Sequence, residues 1–455
     1  MYNLAQLRSA NRRSYSWLSG KCRKICDSPV CGLEREKNEE WRAGRTRARE
    51  RSNVYVIRLT LRIRNMELDH SEAVKILKNV KRGENVEILD YQMDKNLNAV
   101  GYLGDYYNLS IKYCSDGAVQ EVQLFIKALP LLSAELQKEA IFQKEAWLYE
   151  TLLADMRKYS SVKWCPECYY TRSDVMVLEN ITLKGYKQSG STELNDMHMN
   201  QLLKSMAAFH AASVVYEHRT GTNIGQAYGD HLLEITVASE IAWFTTGLSA
   251  VLATIRSLPQ YQGTKDLEFI DTKLKYILEE IYEQAAPSKK YKNVLSHRDL
   301  WSGNIFFPVD ETEPALLIDF QTCRYTPPAA DLNFCLYLNL IPKERRLKEE
   351  KFIDLYYRYL QDNLVDIGLQ NLLISKAELL ESYEDFRLFG TVYRAVAATI
   401  VKVPAEFVTN NFKYVDRSEV ILNYMRTNQE FRIYMEECCV DVMKIALVRD
   451  AREAK

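Results

Sequence analysis

Asp299, Asn304 and Asp319 are the residues whose types and spacing most plainly suggest chemistry. The first two lie in "SHRDLWSGNIFF" (296–307), and the third closes the apolar run in "PALLIDF". Two carboxylates and a side-chain amide are all oxygen donors. Mg2+ accepts such a set when phosphates and water supply its remaining ligands. The first aspartate can instead take or orient the proton of an attacking hydroxyl. The turn "FPVDETEP" between the two segments would let them return side by side as a hairpin. An isolated HxD is adequately explained as loop residues. HxDxxxxN followed by an apolar run ending in Asp-Phe is far more specific, and it points to nucleotide-dependent phosphoryl transfer.

Such chemistry needs a cation for the nucleotide phosphates. Lys127 closes "LFIK", where alternation places Phe125 and Lys127 on one face and Leu124 and Ile126 on the other. A lysine at a strand end could also protect a sheet edge. The following helix favours the phosphate role. In "AIFQKEAWLYETLL", Ile141, Leu148 and Leu152 form a stripe, and Glu145 falls on it. A carboxylate on a buried stripe is costly unless paired, and Lys127 is the nearest sensible partner. The pair would hold the lysine toward the α- and β-phosphates. Gly101 and Gly104, in "VGYLGDYYNLS", stand between two strands in position to cover phosphates. The pattern is neither GxGxxG nor a Walker A, and ordinary β-turn glycines explain it nearly as well.

Strands are expected over 86–93, 107–113, 121–129 and 175–180, with Asp116-Gly117 as a hairpin turn. Ser133 is a plausible N-cap for the next helix, with Glu135 in its first turn. From about residue 190 the chain reads as mostly helical, interrupted by a strand pair around 293–320. This order gives an α+β fold: a small antiparallel-sheet lobe containing one helix, a short connector, then a large helical lobe. The lobes are placed at 66–182 and 183–455. Residues 1–65 carry about ten more basic than acidic residues and show no clear period. They read either as a disordered basic arm or, the favoured reading, as an extension upstream of a start at Met66.

The net charge of −1 gives no overall pull toward nucleic acid or a membrane. The longest uncharged run, "IAWFTTGLSAVLATI", is too short to span a bilayer, and the opening lacks the apolar core of a secretory signal. The ten cysteines are scattered, which fits a reducing compartment and a cytoplasmic location. "CPEC" (165–168) has the spacing of half a zinc site, but no second pair accompanies it, and a structural or incidental role is expected.

The chain resembles the ecdysteroid kinase-like family of insects, also described as carrying a CHK kinase-like domain. That family is related to choline kinases and aminoglycoside phosphotransferases, within the protein-kinase-like two-lobed fold. The resemblance runs from about residue 80 to near the C-terminus. It rests on "LFIKALP", "FQKEAWLYETLL", "VLENITLKGY", "AAFHAAS", "HRDLWSGNIFF" and "LLIDFQTCRYTPPAADL", in that order. It implies that Asp299 is the catalytic aspartate and that Asn304 and Asp319 are Mg2+ ligands. Lys127 and Glu145 would be the small-lobe ion pair. The backbone of Leu178 to Ile181, including Glu179 and Asn180, would read the adenine of ATP. Gln321 stands where protein kinases have the glycine of DFG, which points toward small-molecule kinases. Asp331 would tie the loop after Asp319 to the helical lobe. His297 would brace the catalytic loop, and His210 reads as a satisfied buried histidine. The chain departs from many relatives in having Arg298 in place of glycine and Gly303 in place of asparagine. A solvated or internally paired Arg298 is the expectation.

The reaction so implied is ATP- and Mg-dependent phosphorylation of a hydroxyl on a small molecule, either an ecdysteroid or a foreign alcohol met in detoxification. No nucleic-acid or membrane partner is expected. Two alternatives remain: a choline- or ethanolamine-type kinase, and a non-catalytic nucleotide-binding protein. Trp243, Phe244, Tyr393 and Phe412 are candidate walls of the acceptor pocket, though each residue of this kind is more often core.

Overall fold

The computed structural model describes residues 67–96, 104–130, 136–404, 406–407 and 411–453. The basic segment 1–65, Gly101, Ser133 and Glu135 lie outside the described residues. The chain opens with α1 (His70–Val80), started by a capping box in which Asp69 accepts from the Glu72 amide at 2.8 Å and Glu72 accepts from the Asp69 amide at 2.9 Å. Ala73, Ile76 and Leu77 form its buried face, and Glu72 also receives Arg172 at 2.7 Å.

A five-stranded antiparallel sheet follows, in the order β1 (Val86–Lys95), β2 (Asp105–Ser115), β3 (Ala118–Ala128), β5 (Val175–Glu179), β4 (Cys168–Arg172). The β2–β3 turn is Asp116-Gly117, with φ of 50° and 78°. Both central residues take positive φ, which defines a type I′ turn and fixes the Ser115–Ala118 register. That register places Tyr106 opposite Lys127. β4 was not expected from the sequence. It is a five-residue edge strand that begins at the last cysteine of "CPEC", too short to show a period.

α2 (Leu136–Glu150) carries Glu145 beneath the sheet. The remainder of the described chain is mostly helical, so the α+β, two-lobed, protein-kinase-like organisation is observed. One core cluster surrounds α3 (Asp196–Thr220), whose residues from Leu202 to Tyr216 are buried almost without interruption. A second gathers α4 (Ala242–Ser257) with α7 and α8 near the C-terminus (Arg387–Val401 and Gln429–Glu453). Between α4 and α7 in sequence run α5 (Pro328–Asn339) and α6 (Pro342–Val365).

Phe320 is the hub that ties these layers to the site. Its ring is fully buried, 5.5 Å from Tyr149 of α2, 6.0 Å from Trp164, 5.7 Å from Phe209 of α3 and 4.8 Å from His297. Truncating it to alanine would cost about 3–5 kcal/mol and loosen four elements at once. Among the described residues no helix is long and apolar enough to cross a membrane.

Candidate active site

The site is built on two short strand pairs. β6 (Val294–Ser296) pairs with β9 (Arg324–Thr326), and β7 (Ile305–Phe306) pairs with β8 (Leu316–Leu317). The loop from His297 to Asn304 and the turn at Asp319 therefore lie between adjacent ladders. A main-chain bond of 3.1 Å from Ile318 to the Asn304 carbonyl closes the gap. Asp319 adopts φ 68° and Arg298 φ 67°, left-handed conformations that a side chain takes only when its surroundings hold it there.

Asp331, at the start of α5, supplies much of that hold. Its two carboxylate oxygens accept the amides of His297 at 2.6 Å and Arg298 at 2.7 Å. His210 reaches it at 3.0 Å and Tyr356 at 2.7 Å through its other ring nitrogen. His297 itself bonds the Ile318 carbonyl at 2.9 Å, and Thr322 donates to the His297 carbonyl at 2.7 Å. Both histidines are thus buried and structurally engaged.

Asn304 donates to the main-chain oxygen of Asp299 at 2.9 Å and to its carboxylate at 2.8 Å. Burial, and next the charge of Asp319, push Asp299 up to about 7. Lys127 lies 2.6 Å from Glu145 and 2.6 Å from Asp319. Burial alone would lower this lysine, but Asp319 and Glu145 more than offset it and keep the ammonium protonated. Gln321 donates to the second Asp319 oxygen at 3.0 Å. The structure thereby brings Lys127, Glu145, Asp299, Asn304 and Asp319 together. A β-carbon on Gly104 would sit 3.3 Å from both Lys127 Cγ and the Tyr106 ring, so this glycine lies over the lysine.

Tyr106 was missed by sequence reasoning. It is half-buried beside Lys127 and stacks on Phe125 with ring centroids 5.7 Å apart. The β2–β3 register, countable from the Asp-Gly turn, was the signal that could have found it. The connector residues behave differently from one another. The Glu179 carboxylate is committed to Lys163 at 2.6 Å, Lys184 at 2.5 Å and the Glu167 amide at 3.1 Å. Asn180 accepts from Thr182 at 2.6 Å, and Ile181 is buried. The main chain of this stretch is partly engaged as well: the Glu179 amide donates to the Glu167 carbonyl at 2.8 Å, and the Asn180 and Ile181 carbonyls accept from Leu183 and Tyr186, both at 3.3 Å.

Arg298 is buried and internally paired, 3.5 Å from Glu234. Gly303 lies under the Trp301 ring, where a β-carbon would come within 2.2 to 2.6 Å of three ring atoms. Phe244 and Phe412 belong to the second core cluster; Tyr393 is nearly buried there, and Trp243 packs on it at 5.9 Å. Burial pushes the Cys165 and Cys168 thiols up to about 12, and among the described residues no group of three His, Cys, Asp or Glu side chains could hold a metal ion.

The model of the family described as "Ecdysteroid kinase-like family" matches residues 99–369. Comparison with curated proteins finds no match. Among solved structures, the gentamicin complex of APH(2")-IIa is 15% identical, over 83% of this chain and 97% of that one, with a TM-score of 0.38. A Plasmodium vivax ethanolamine kinase is 14% identical, over 76% and 83%, with a TM-score of 0.38. An ADP-bound aminoglycoside phosphotransferase, APH(2'')-Ib, is 14% identical, over 82% and 99%, with a TM-score of 0.37.

Proposed function

The chain belongs to the ecdysteroid kinase-like family, and from that premise we propose that it is a small-molecule kinase using ATP and Mg2+ to phosphorylate a hydroxyl of an ecdysteroid or a foreign alcohol. The observation that carries this reading is Lys127, which joins Glu145 of the sheet lobe to Asp319, beside the loop bearing Asp299 and Asn304. Five residues from four separate stretches meet where a phosphate, a dication and a hydroxyl would have to meet.

The residues fit a magnesium ion. Asn304 turns its amide nitrogen to Asp299, which leaves its side-chain carbonyl as a donor, and Asp319 supplies the carboxylate. Burial first, and next the charge of Asp319, disfavour the ionised form of Asp299, and a dication would favour it. When bound, the ion would neutralise charge on the phosphate oxygens.

In this reading Asp299 accepts the hydrogen bond of the attacking hydroxyl and aligns its oxygen, and a carboxylate pushed up to about 7 is poised to share that proton near neutrality. Asp331 keeps the loop in place beforehand, so alignment requires little reorganisation. Lys127, steered by Glu145, binds the phosphates, and Gly104 closes over them. The main chain of Leu178 to Ile181 pairs with the adenine edge. The division into lobes at 66–182 and 183–455 belongs to the same proposal, with a chain beginning at Met66 expected to keep full activity.

The test is mass spectrometry of products formed with Mg·ATP and a panel of ecdysteroids, plant alcohols and amino alcohols. A phosphate adduct on a steroid or foreign alcohol, absent with Asp299→Asn, supports the proposal. An adduct on choline or ethanolamine alone replaces the substrate class. No adduct despite measurable Mg·ATP binding points to a non-catalytic nucleotide-binding protein.

A further inference from the structure

Three cations, each close in sequence to one residue of the proposed machinery, converge on three consecutive residues of a distant segment. Lys144, the neighbour of Glu145, donates to the Leu233 carbonyl at 3.0 Å. Arg324, on the strand that follows Asp319, donates to the Leu232 carbonyl. Arg298, the neighbour of Asp299, lies 3.5 Å from Glu234 Oε2, and Arg324 Nε lies 3.4 Å from the same oxygen.

The Glu234 carboxylate is aimed. Its Oε1 accepts the amides of Ile235, Thr236 and Val237 at 3.1, 2.9 and 2.9 Å and the Thr236 hydroxyl at 2.7 Å. That turn fixes the side chain and leaves Oε2 to the two guanidinium groups. None of the three guanidinium nitrogens of Arg298 makes a hydrogen bond, nor do Arg324 Nε and Glu234 Oε2. The attraction is one of charge, reinforced by the Arg298 guanidinium lying 4.5 Å from the Phe389 ring centroid and 5.3 Å from that of Phe334. Arg298 is 1% exposed and Lys144 8%, so solvent screens the cluster little. An arginine at φ 67° is also strained, and this anchorage of its side chain adds to the hold that Asp331 has on its amide.

We propose that Leu232–Glu234 is a clasp that sets the spacing of Glu145, Asp299 and Asp319, with Glu234 as its positioning residue. The clasp grips one arm from the helix of the ion pair, one from the hydroxyl-orienting loop and one from the strand after the metal-binding turn. The same segment leads into α4, which carries Trp243. Its catalytic consequence rests on the kinase reading above; its mechanical consequence does not.

The experiment uses the full chain with Glu234→Gln, which removes the charge and keeps the shape, and Glu234→Asp, which keeps the charge. Hydrogen exchange by mass spectrometry is read at 140–150, 297–304 and 319–326, with the 107–125 hairpin as internal control. Turnover with Mg·ATP is read as kcat and KM. The clasp predicts that Glu234→Gln raises exchange in all three segments together and leaves the hairpin unchanged. It further predicts a kcat lower by roughly 10–100-fold, the penalty of misplacing groups by about 1 Å, with KM for ATP changed by less than about threefold. Glu234→Asp should recover part of both. Exchange confined to 229–241, together with unchanged kcat, overturns the proposal. Should Glu234→Gln fail to fold, Lys144→Met removes a single arm and is read the same way. If the unmodified chain transfers no phosphate at all, the kinase reading fails, and the exchange pattern alone decides the clasp.

Discussion

Lys127 Nζ lies 2.6 Å from Asp319 Oδ1, a partner 192 residues away in sequence. The same nitrogen lies 2.6 Å from Glu145. One ammonium therefore joins the sheet lobe, α2 and the turn after β8. The bond to Asp319 is one that incoming phosphates would compete for, whereas the bond to Glu145 can persist.

Replacing Lys127 with methionine should destabilise the nucleotide-free chain by about 3–5 kcal/mol, because Glu145 and Asp319 lose their shared cation in a buried setting. Calorimetry should register a melting temperature several degrees lower. Adding Glu145→Gln to that variant should recover part of the loss, since an uncompensated charge is removed with it. A melting temperature equal to the parent's would show that the pair contributes nothing to the fold.

Asp299→Asn is expected to uncouple activity from stability. It removes a carboxyl whose charged form burial, and next the charge of Asp319, disfavour, so the metal-free variant should melt at or above the parent's temperature. Phosphoryl transfer should vanish while Mg·ATP binding stays largely intact. Normal turnover in this variant would exclude Asp299 from the chemistry.

Acid should weaken the catalytic loop through Asp331. Burial works to raise this carboxylate, but His210, His297 and the main-chain amide of His297 outweigh it and hold it below the usual range. A folded pKa below the unfolded value, about 3.9, means that the stabilisation is fully present above that value and is lost as pH falls through the folded one. Urea unfolding followed from pH 5 to pH 3 should show a steeper decline for the parent than for Asp331→Asn. The variant itself should be about 3 kcal/mol or more less stable at neutral pH, since it loses the charge behind three buried bonds.

Gly303→Ala should disturb Trp301, whose ring occupies the space of the added carbon. Overpacking of this kind costs roughly 1–3 kcal/mol. Combining it with Trp301→Ala should give a stability loss smaller than the sum of the two single changes. Strict additivity, measured by denaturant unfolding, would mean that the two residues do not touch in solution.

Much of this was legible before the structure. Asp116-Gly117 names its turn because few residues accept two successive positive φ values, and that turn then counts out the β2–β3 register. Glu145 announced a buried partner by standing on an apolar stripe. The spacing of Asp299 and Asn304 is short enough for one loop to bring them into contact, and the structure has them 2.8 Å apart. By contrast β4 went unseen, since five residues carry too little alternation to be read and it is held as a strand by its pairing with β5.

By itself, the sequence determined what is set over a few residues: turn chemistry, strand alternation, the helix stripe and the oxygen donors of one loop. Tertiary structure alone decided which distant groups a long, flexible cation would reach. Nothing near Arg298, Arg324 or Lys144 in sequence points to Leu232, Leu233 and Glu234, and nothing in "SHRDLW" shows that its arginine is buried between Phe334 and Phe389. Local patterns follow from backbone sterics and side-chain period, which act between neighbours. Charge pairing in the interior follows from which segments the packed core returns to the same place, and that is settled only when the whole chain has folded.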